Sequence, residues 1–390
     1  MKKLLAFVLA AVLALGCLAG CGGAGSSGSA EGDAFYIGGI GPTTGGAAIY
    51  GNGVKNGAQI AIDEINEAGG INGYKIEYNF QDDTHDAEKS VNAYNTLKDW
   101  GMQILLGTVT STPCTAVAAE TANDNIFEIT PSASSPDVLQ GDESNVFQVC
   151  FSDPNQGAKS AEYIATNKLA KKVAVIYDSS DVYSSGIEAT FEAQAKDLGF
   201  DIVSKSAFTA DSKTDFNTQL KQAQDKGAEL VFLPIYYQEA SIILTQANDM
   251  GYKPVFFGVD GMDGILTVEN FDTKLAEGVM LLTPFAADSE DEAVQSFVKK
   301  YQDAYGEIPN QFAADAYDGV YAIKAAIEKA GVTPDMDASE MCDALKKAMT
   351  EITVPGITGG EEGLQWNAKG EVNKEPKAVI IKDGAYVSMD

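Results

Sequence analysis

Hydrophobic and polar positions in this chain switch between two periods. Phe35–Ile40 is an apolar run bounded by glycine, the pattern of a strand buried on both faces. Gly51–Ala68 then carries Val54, Ala58, Ile62 and Ile65 at helical spacing and stops at Gly69-Gly70. Lys75–Phe80 alternates as a strand, Ala87–Trp100 repeats as a helix, Gln103–Leu106 is a strand, Pro113–Asn123 a helix and Ile126–Ile129 a strand. After Asp153-Pro154 the alternation restarts. It predicts helix Asn155–Asn167, strand Val173–Tyr177, helix Ser185–Leu198, strand Asp201–Ser206, helix Asp215–Lys226, strand Leu230–Leu233, helix Glu239–Met250 and strand Val255–Phe257. Helices at Asp291–Tyr305, Gln311–Ala330 and Ala338–Met349 follow. Near the end, Ala378–Lys382 and Ala385–Met389 flank Asp383-Gly384, a hairpin turn signal. Repeated β-α passages predict an α/β protein: two Rossmann-like units with mostly parallel sheets, helices on both faces. A chain of 390 residues is long enough for two cores.

The first 21 residues stand outside this pattern. Lys2 and Lys3 precede the apolar stretch Leu4–Leu15, and Leu18-Ala19-Gly20-Cys21 follows. This order is that of a secretory leader, too short for a permanent span. Its end resembles a bacterial lipobox, in which Cys21 is lipid-modified and becomes the new N-terminus. Residues 22–33 are Gly/Ser/Ala-rich and read as a flexible tether. The location expected is extracytoplasmic, lipid-anchored to the cell membrane.

Composition removes several function classes. The formal net charge is −29, and loss of Lys2 and Lys3 with the leader makes it more negative. This charge argues against nucleic acid and anionic lipid surfaces as partners. Cys114, Cys150 and Cys342 are too widely spaced for a disulfide framework or zinc site and read as small buried hydrophobes. His85 is the single histidine, which rules out a histidine-rich metal centre and argues against a Ser–His–Asp arrangement. Neither a phosphate loop nor a nucleophile elbow is present. Gly51–Gly57 spaces its glycines loosely like a dinucleotide loop, but it does not match G-x-G-x-x-G and lies well past the strand. Gln81-Asp82-Asp83 with Asp86 lacks the glycine and glutamate of a calcium loop and reads as solvated. No cofactor, metal or catalytic group is implied, and nothing points to an obligate oligomer; a monomer is expected.

The candidate chemistry lies just past the predicted strands, where open α/β sheets bind ligands. After the first strand come Thr43, Thr44 and Tyr50. After the third come Thr108, Thr110 and Ser111, and after the fourth Ser132 and Ser134. In the second unit the corresponding positions hold Tyr183, Tyr236, Tyr237 and Asp260. The first unit offers hydroxyls and helix starts, suited to an anion. The second offers tyrosines and one carboxylate, suited to a cation. Facing each other, the two would hold a zwitterion, with its ammonium on Asp260.

These residues carry a resemblance. The runs GPTTGGAAIYGNGVKNGAQIAIDEINEAGGINGYKIE (Gly41–Glu77), Gly107–Pro136, YDSSDVYSSG (Tyr177–Gly186), IYYQEASIILTQANDMG (Ile235–Gly251) and FFGVDG (Phe256–Gly261) resemble the leucine/isoleucine/valine-binding family of solute-binding lipoproteins. That family serves ABC importers and has the type I periplasmic-binding fold. The resemblance implies that Ser111 and Ser134 bind a ligand carboxylate and that Ser132 offers its backbone. Tyr183 and Tyr236 would close from the second lobe. Asp260 stands where the family has an acidic residue for the ammonium, and Tyr50 and Phe312 would line the side-chain pocket. The positions of a disulfide found in some members look like His85 and Thr110. Three crossings between lobes are implied, near Ser152–Asp153, Thr283–Pro284 and Pro355–Gly359. They give one lobe of residues 34–152 plus 285–357 and another of 153–284 plus 358–390. The function implied is capture of an amino acid, branched-chain and aliphatic, for delivery to an ABC permease, without chemistry. The alternatives are the sensing module of a signalling system, or the same transport role for an amide, urea or aromatic acid.

Overall fold

The computed structural model describes residues 34–139 and 141–389. The leader, Cys21 and the tether lie outside the described residues. Two sheets organise the chain. The first is wholly parallel and holds β1 (Ala34–Gly41), β2 (Lys75–Asp82), β3 (Ile104–Gly107), β4 (Phe127–Thr130) and β5 (Val146–Gln148) in the order β2-β1-β3-β4-β5. The second holds β6 (Lys172–Asp178), β7 (Asp201–Phe208), β8 (Leu230–Leu233), β9 (Val255–Gly258), β10 (Met280–Thr283), β11 (Lys377–Lys382) and β12 (Ala385–Ser388). Its order is β12-β11-β10-β9-β8-β6-β7, parallel except for the C-terminal hairpin, which joins antiparallel to β10. From β7 to β10 it repeats the order of the first sheet. Each sheet therefore has one switch point, between β1 and β3 and between β6 and β8, where crevices open at strand carboxyl ends.

The helices α1 (Ala48–Glu67), α2 (Ala87–Trp100), α3 (Ser111–Asp124), α4 (Asp153–Thr166), α5 (Val182–Leu198), α6 (Asn217–Asp225), α7 (Tyr237–Asp249), α8 (Glu292–Tyr305), α9 (Gln311–Ala330) and α10 (Ala338–Met349) lie where the 3.6-residue period predicts them. α1, α3 and α5 begin two or three residues earlier than apolar spacing suggests. The first turn of α3 is polar or small and leaves no apolar stripe to read, while Ile49 and Tyr50 in α1 and Val182 and Tyr183 in α5 are adjacent pairs that show no helical spacing by themselves. Pro113 is no obstacle to the early start of α3, because the first turn needs no N–H from it. β5 and β10 were not read from the sequence; β5 is three residues long and too short to show a period, and β10 was missed although three of its four residues are apolar.

α1 and α9 pack through glycine. A Cβ on Gly57 would fall 2.0 Å from the Ala313 carbonyl oxygen. On helix propensity alone Gly57→Ala should stabilise by about 1 kcal/mol. The close approach reverses the sign: the variant should lose roughly 1–3 kcal/mol, read as a lowered urea midpoint. A raised midpoint would show that the two helices do not meet this closely.

The chain passes between sheets from Gln148 to Asp153 and again after Thr283. The third passage differs from the expected position near Pro355–Gly359. Ser144 N donates to the Ala368 carbonyl, Gln148 N to the Gly370 carbonyl, and the Trp366 indole N–H to the Gln148 carbonyl at 2.7 Å. Residues 366–370 thus lie against β5, Thr358 is bound by Asp318 of α9, and the chain leaves the first lobe at Lys374–Pro376. Pro355–Gly359 looks like a hinge in composition, but its glycines serve turns on the first lobe instead. Gly356 has φ 60°.

Candidate functional site

The two switch points face each other. Tyr50, Val109, Thr110, Ser111, Ser132 and Phe312 from the first lobe meet Tyr183, Tyr236, Asp260 and Gly261 from the second around one narrow cavity of ≈ 10 Å³, about the room of one water in this closed arrangement. A larger opening lies elsewhere, near Gln148, Asn155, Trp366 and Lys374. Five of its eleven lining residues are amides, and the Lys374 ammonium there is already bound by Asp315 and Thr358.

On the second lobe Asp260 follows β9 and is 3% exposed. The Tyr183 hydroxyl donates to its Oδ1 at 2.5 Å. Its backbone N–H donates to Gln156 Oε1 at 3.2 Å, and its carbonyl accepts from Gln311 Nε2 at 2.9 Å. Burial pushes the carboxyl up to about 7, against the lowering effect of Tyr183 and Gln156, and Asp315 raises it further. Such a carboxyl is short of a cationic partner. Tyr183 sits in the first turn of α5, rather than in the preceding loop, and stacks on Tyr236 with centroids 4.9 Å apart.

On the first lobe Ser111 opens α3. Its Oγ accepts from the Ser135 N–H at 3.2 Å. Ser132 Oγ donates to the Val109 carbonyl at 2.6 Å, which fixes the loop between β4 and β5. Ser134 is buried but does not line the cavity. Its carbonyl accepts from Asp153 N at 2.9 Å, and its side chain lies beside the Asp153 carboxyl, one layer behind the wall. Tyr50 is the cross-lobe pivot. Its hydroxyl donates to the Gly261 carbonyl and accepts from Tyr237 N at 3.2 Å, and its ring lies 4.5 Å from Phe312 and 5.5 Å from Tyr236.

Several residues that close the cleft were missed. Thr112 Oγ1 donates to Asp181 Oδ1 at 3.0 Å. The Tyr237 hydroxyl accepts from Ile49 N at 3.5 Å, and Gln311 N donates to Asp263 Oδ2 at 2.9 Å. Of these, Tyr237 had been singled out with Tyr236; Ile49, Thr112 and Gln311 stand next to singled-out residues, so adjacency was their only signal, and Asp181 and Asp263 left none. The reading of residues 81–86 as a solvated loop needs correction. Asp83 is fully buried, accepting from the His85 N–H and the Ser90 hydroxyl, each at 2.8 Å. This turns His85 inward, where Nδ1 lies 2.8 Å from Thr110 Oγ1. A hydrogen bond thus joins the loop after β2 to the start of α3. The three cysteines are free and buried. Among the described residues no cluster of His, Cys, Asp and Glu could hold a metal, and no helix is long and apolar enough to cross a membrane.

Two lobes with facing switch points and a buried, charged cavity between them define a ligand-capturing binding protein. The sequence profile of the periplasmic binding protein family matches residues 34–375, and the chain belongs to that family. It is 32% identical to Leu/Ile/Val-binding protein homolog 3 of Brucella melitensis, over 77% of this chain and 81% of that one. It is 30% identical to Leu/Ile/Val-binding protein homolog 1 of Brucella suis, over 97% and 96%. Among solved structures it resembles the branched-chain amino acid transporter substrate-binding protein LivJ of Streptococcus pneumoniae in complex with isoleucine. The TM-score is 0.82 and the identity 28%, over 91% of this chain and 98% of that one. The chain is thus a type I solute-binding protein of the kind that serves amino acid ABC transporters.

Proposed function

We propose that this protein captures a free α-amino acid between its lobes and delivers it to an ABC permease, performing no chemistry itself. The observation that carries the reading is the pairing of Asp260, pre-oriented by Tyr183, with Ser111 at the start of α3 across one cavity. The carboxylate suits an ammonium. The first-turn N–H groups and hydroxyl of α3 suit a carboxylate. Ser132 and Ser134 support that wall, Tyr236 closes it, and Tyr50 and Phe312 take the side chain. The relatives' names, which are those of Leu/Ile/Val-binding proteins, favour a β- or γ-branched side chain. The lobes are residues 34–152 plus 285–373 and 153–284 plus 374–390, and they move about three crossings. Ligand contacts with both lobes favour the closed arrangement. Cys21 carries the lipid anchor, which partitioning of the full chain into a detergent phase tests.

The test of the ligand class is a thermal-shift screen of the chain from Ala24 onward, refolded from denaturant to remove carried ligand. A ligand at about a hundred times its Kd adds about 2.7 kcal/mol. Amino acids are expected to raise the melting temperature, and amides, urea and aromatic acids are not. A shift confined to the controls would overturn the amino acid reading and leave the binding-protein class intact.

A further inference from the structure

Thr110 is the N-cap residue of α3, the position at which a threonine hydroxyl normally accepts from the first turn. Here its side chain makes no capping bond. The hydroxyl turns instead to His85 Nδ1 at 2.8 Å, while Thr110 itself is 3% exposed and lines the ligand cavity. The loop that delivers His85 is held in a sparsely populated backbone conformation: Thr84 and His85 have φ 52° and 61°. Two consecutive non-glycine residues in the left-handed region cost energy and persist only where surroundings hold them. Asp82 accepts from Thr84 N at 3.0 Å, and Asp83 from His85 N at 2.8 Å. The imidazole also stands edge-on to Tyr236, centroids 5.6 Å apart, and Tyr236 in turn meets Tyr50. The polar pair thus stands beside Tyr236, with Thr110 in the cavity wall and His85 behind it.

The pair keeps spare hydrogen-bonding capacity in either tautomer. A hydroxyl has one proton and two acceptor sites. If Nδ1–H donates to Thr110, the threonine proton remains free for a ligand. If Thr110 donates to Nδ1, both of its acceptor sites remain. When Nδ1–H donates to Thr110, a purely aliphatic side chain against this wall would bury the threonine proton without an acceptor, which is costly. A side chain with one hydroxyl and one methyl satisfies the hydroxyl end and the aromatic end together.

We infer that the side-chain subsite selects a small hydroxyl-bearing amino acid, of the size and shape of threonine, over its aliphatic isostere valine, and that Thr110, oriented by His85, is the specificity-determining residue. The inference rests on the proposed amino acid function. Threonine and valine differ by one hydroxyl against one methyl, so the ratio of their dissociation constants isolates the contact.

Titration calorimetry of the refolded protein with threonine, serine, valine and leucine tests it. Wild type should bind threonine at least tenfold more tightly than valine. Thr110→Val should weaken threonine at least tenfold, leave valine equal or tighter, and remove the preference. Thr110→Ser, which keeps the hydroxyl, should retain it. The inference is overturned if valine or leucine binds wild type as tightly as threonine, an outcome that leaves the amino acid function standing. It is also overturned if Thr110→Val keeps the threonine preference. Absence of binding by any amino acid takes down the function and the inference together.

Discussion

Asp260→Asn is expected to weaken amino acid binding by two to three orders of magnitude, while making the unliganded protein more stable at pH 8. Both effects come from one buried carboxylate. Truncating one partner of a buried, hydrogen-bonded charge pair costs about 3–4 kcal/mol, which is two to three decades in Kd. Asparagine keeps the shape and can still accept from Tyr183, so the loss reports charge rather than packing. The stability effect has the opposite sign. Burial raises the Asp260 carboxyl from its ordinary value to about 7, so between about pH 4 and pH 7 the folded protein holds a proton that the unfolded chain has released. Stability therefore falls as pH rises through that window. The loss is complete above about pH 7. The variant escapes it, and its advantage should be larger at pH 8 than at pH 5. Ligand affinity of the wild type should likewise fall as pH drops below about 7, because a proton then competes with the ammonium. Calorimetry at pH 5, 7 and 8, with urea melts of both proteins, reads all three effects. Equal affinities for variant and wild type would remove Asp260 from the ammonium site.

The architecture was legible because central strands such as β1, β3, β4 and β8 are buried on both faces and appear as bare apolar runs, while edge strand β2 alternates. The helices appear as stripes, and the restart at Asp153 marks the second unit. The cavity was legible for a related reason. A ligand site at strand carboxyl ends collects residues that follow apolar runs, and Tyr50, Ser111, Ser132, Tyr183, Tyr236, Asp260 and Phe312 all line it. Ser134 shares the same sequence signature but falls one layer behind. A loop alternates faces in a way no periodicity records. Glu128 was invisible as a charged group inside the run Ile126–Ile129. It is fully buried, accepts from Thr121 Oγ1 at 2.7 Å and from the Cys114 thiol, and its carboxyl is pushed up to about 8 by burial. Contacts that join distant segments left no local trace either: Thr112 to Asp181, Gln311 to Asp263, His85 to Thr110. The third crossing was misplaced because Pro and Gly mark turns wherever they occur, and only the pairing of residues 366–370 with β5 shows which turns belong to the hinge.

That hinge is the setting for the largest expected loss of stability. Lys374 is buried where the chain leaves the first lobe for β11, with 1% of its side chain exposed against 2% for Asp315. Its Nζ donates to Asp315 Oδ1 at 2.6 Å and to Thr358 Oγ1 at 2.5 Å. Thr358 Oγ1 donates in turn to Asp318 Oδ2 at 2.6 Å, and Asp318 also accepts from Ile357 N and Thr358 N. One ammonium therefore serves two buried carboxyls on α9. Burial raises Asp315 to about 6, and Lys374 is the largest influence holding it down; Asp318 is raised by burial and opposed first by the same lysine. Lys374→Met keeps the apolar stem but leaves Asp315 without its cation, a change that costs about 3–5 kcal/mol. The sign of the pH dependence follows from the raised carboxyls. Without the lysine their folded-state values rise further, so the folded variant takes up protons on acidification that the unfolded chain does not. The deficit should be greatest at pH 8 and shrink toward pH 5. Replacing both partners, Lys374→Met with Asp315→Leu, removes the stranded charge and should recover most of the loss at pH 8. Urea midpoints of the three proteins at the two pH values decide the matter. A single variant as stable as wild type at pH 8 would mean that Asp315 finds another partner or solvent. A deficit that does not shrink on acidification would place the cost in packing at the hinge rather than in charge.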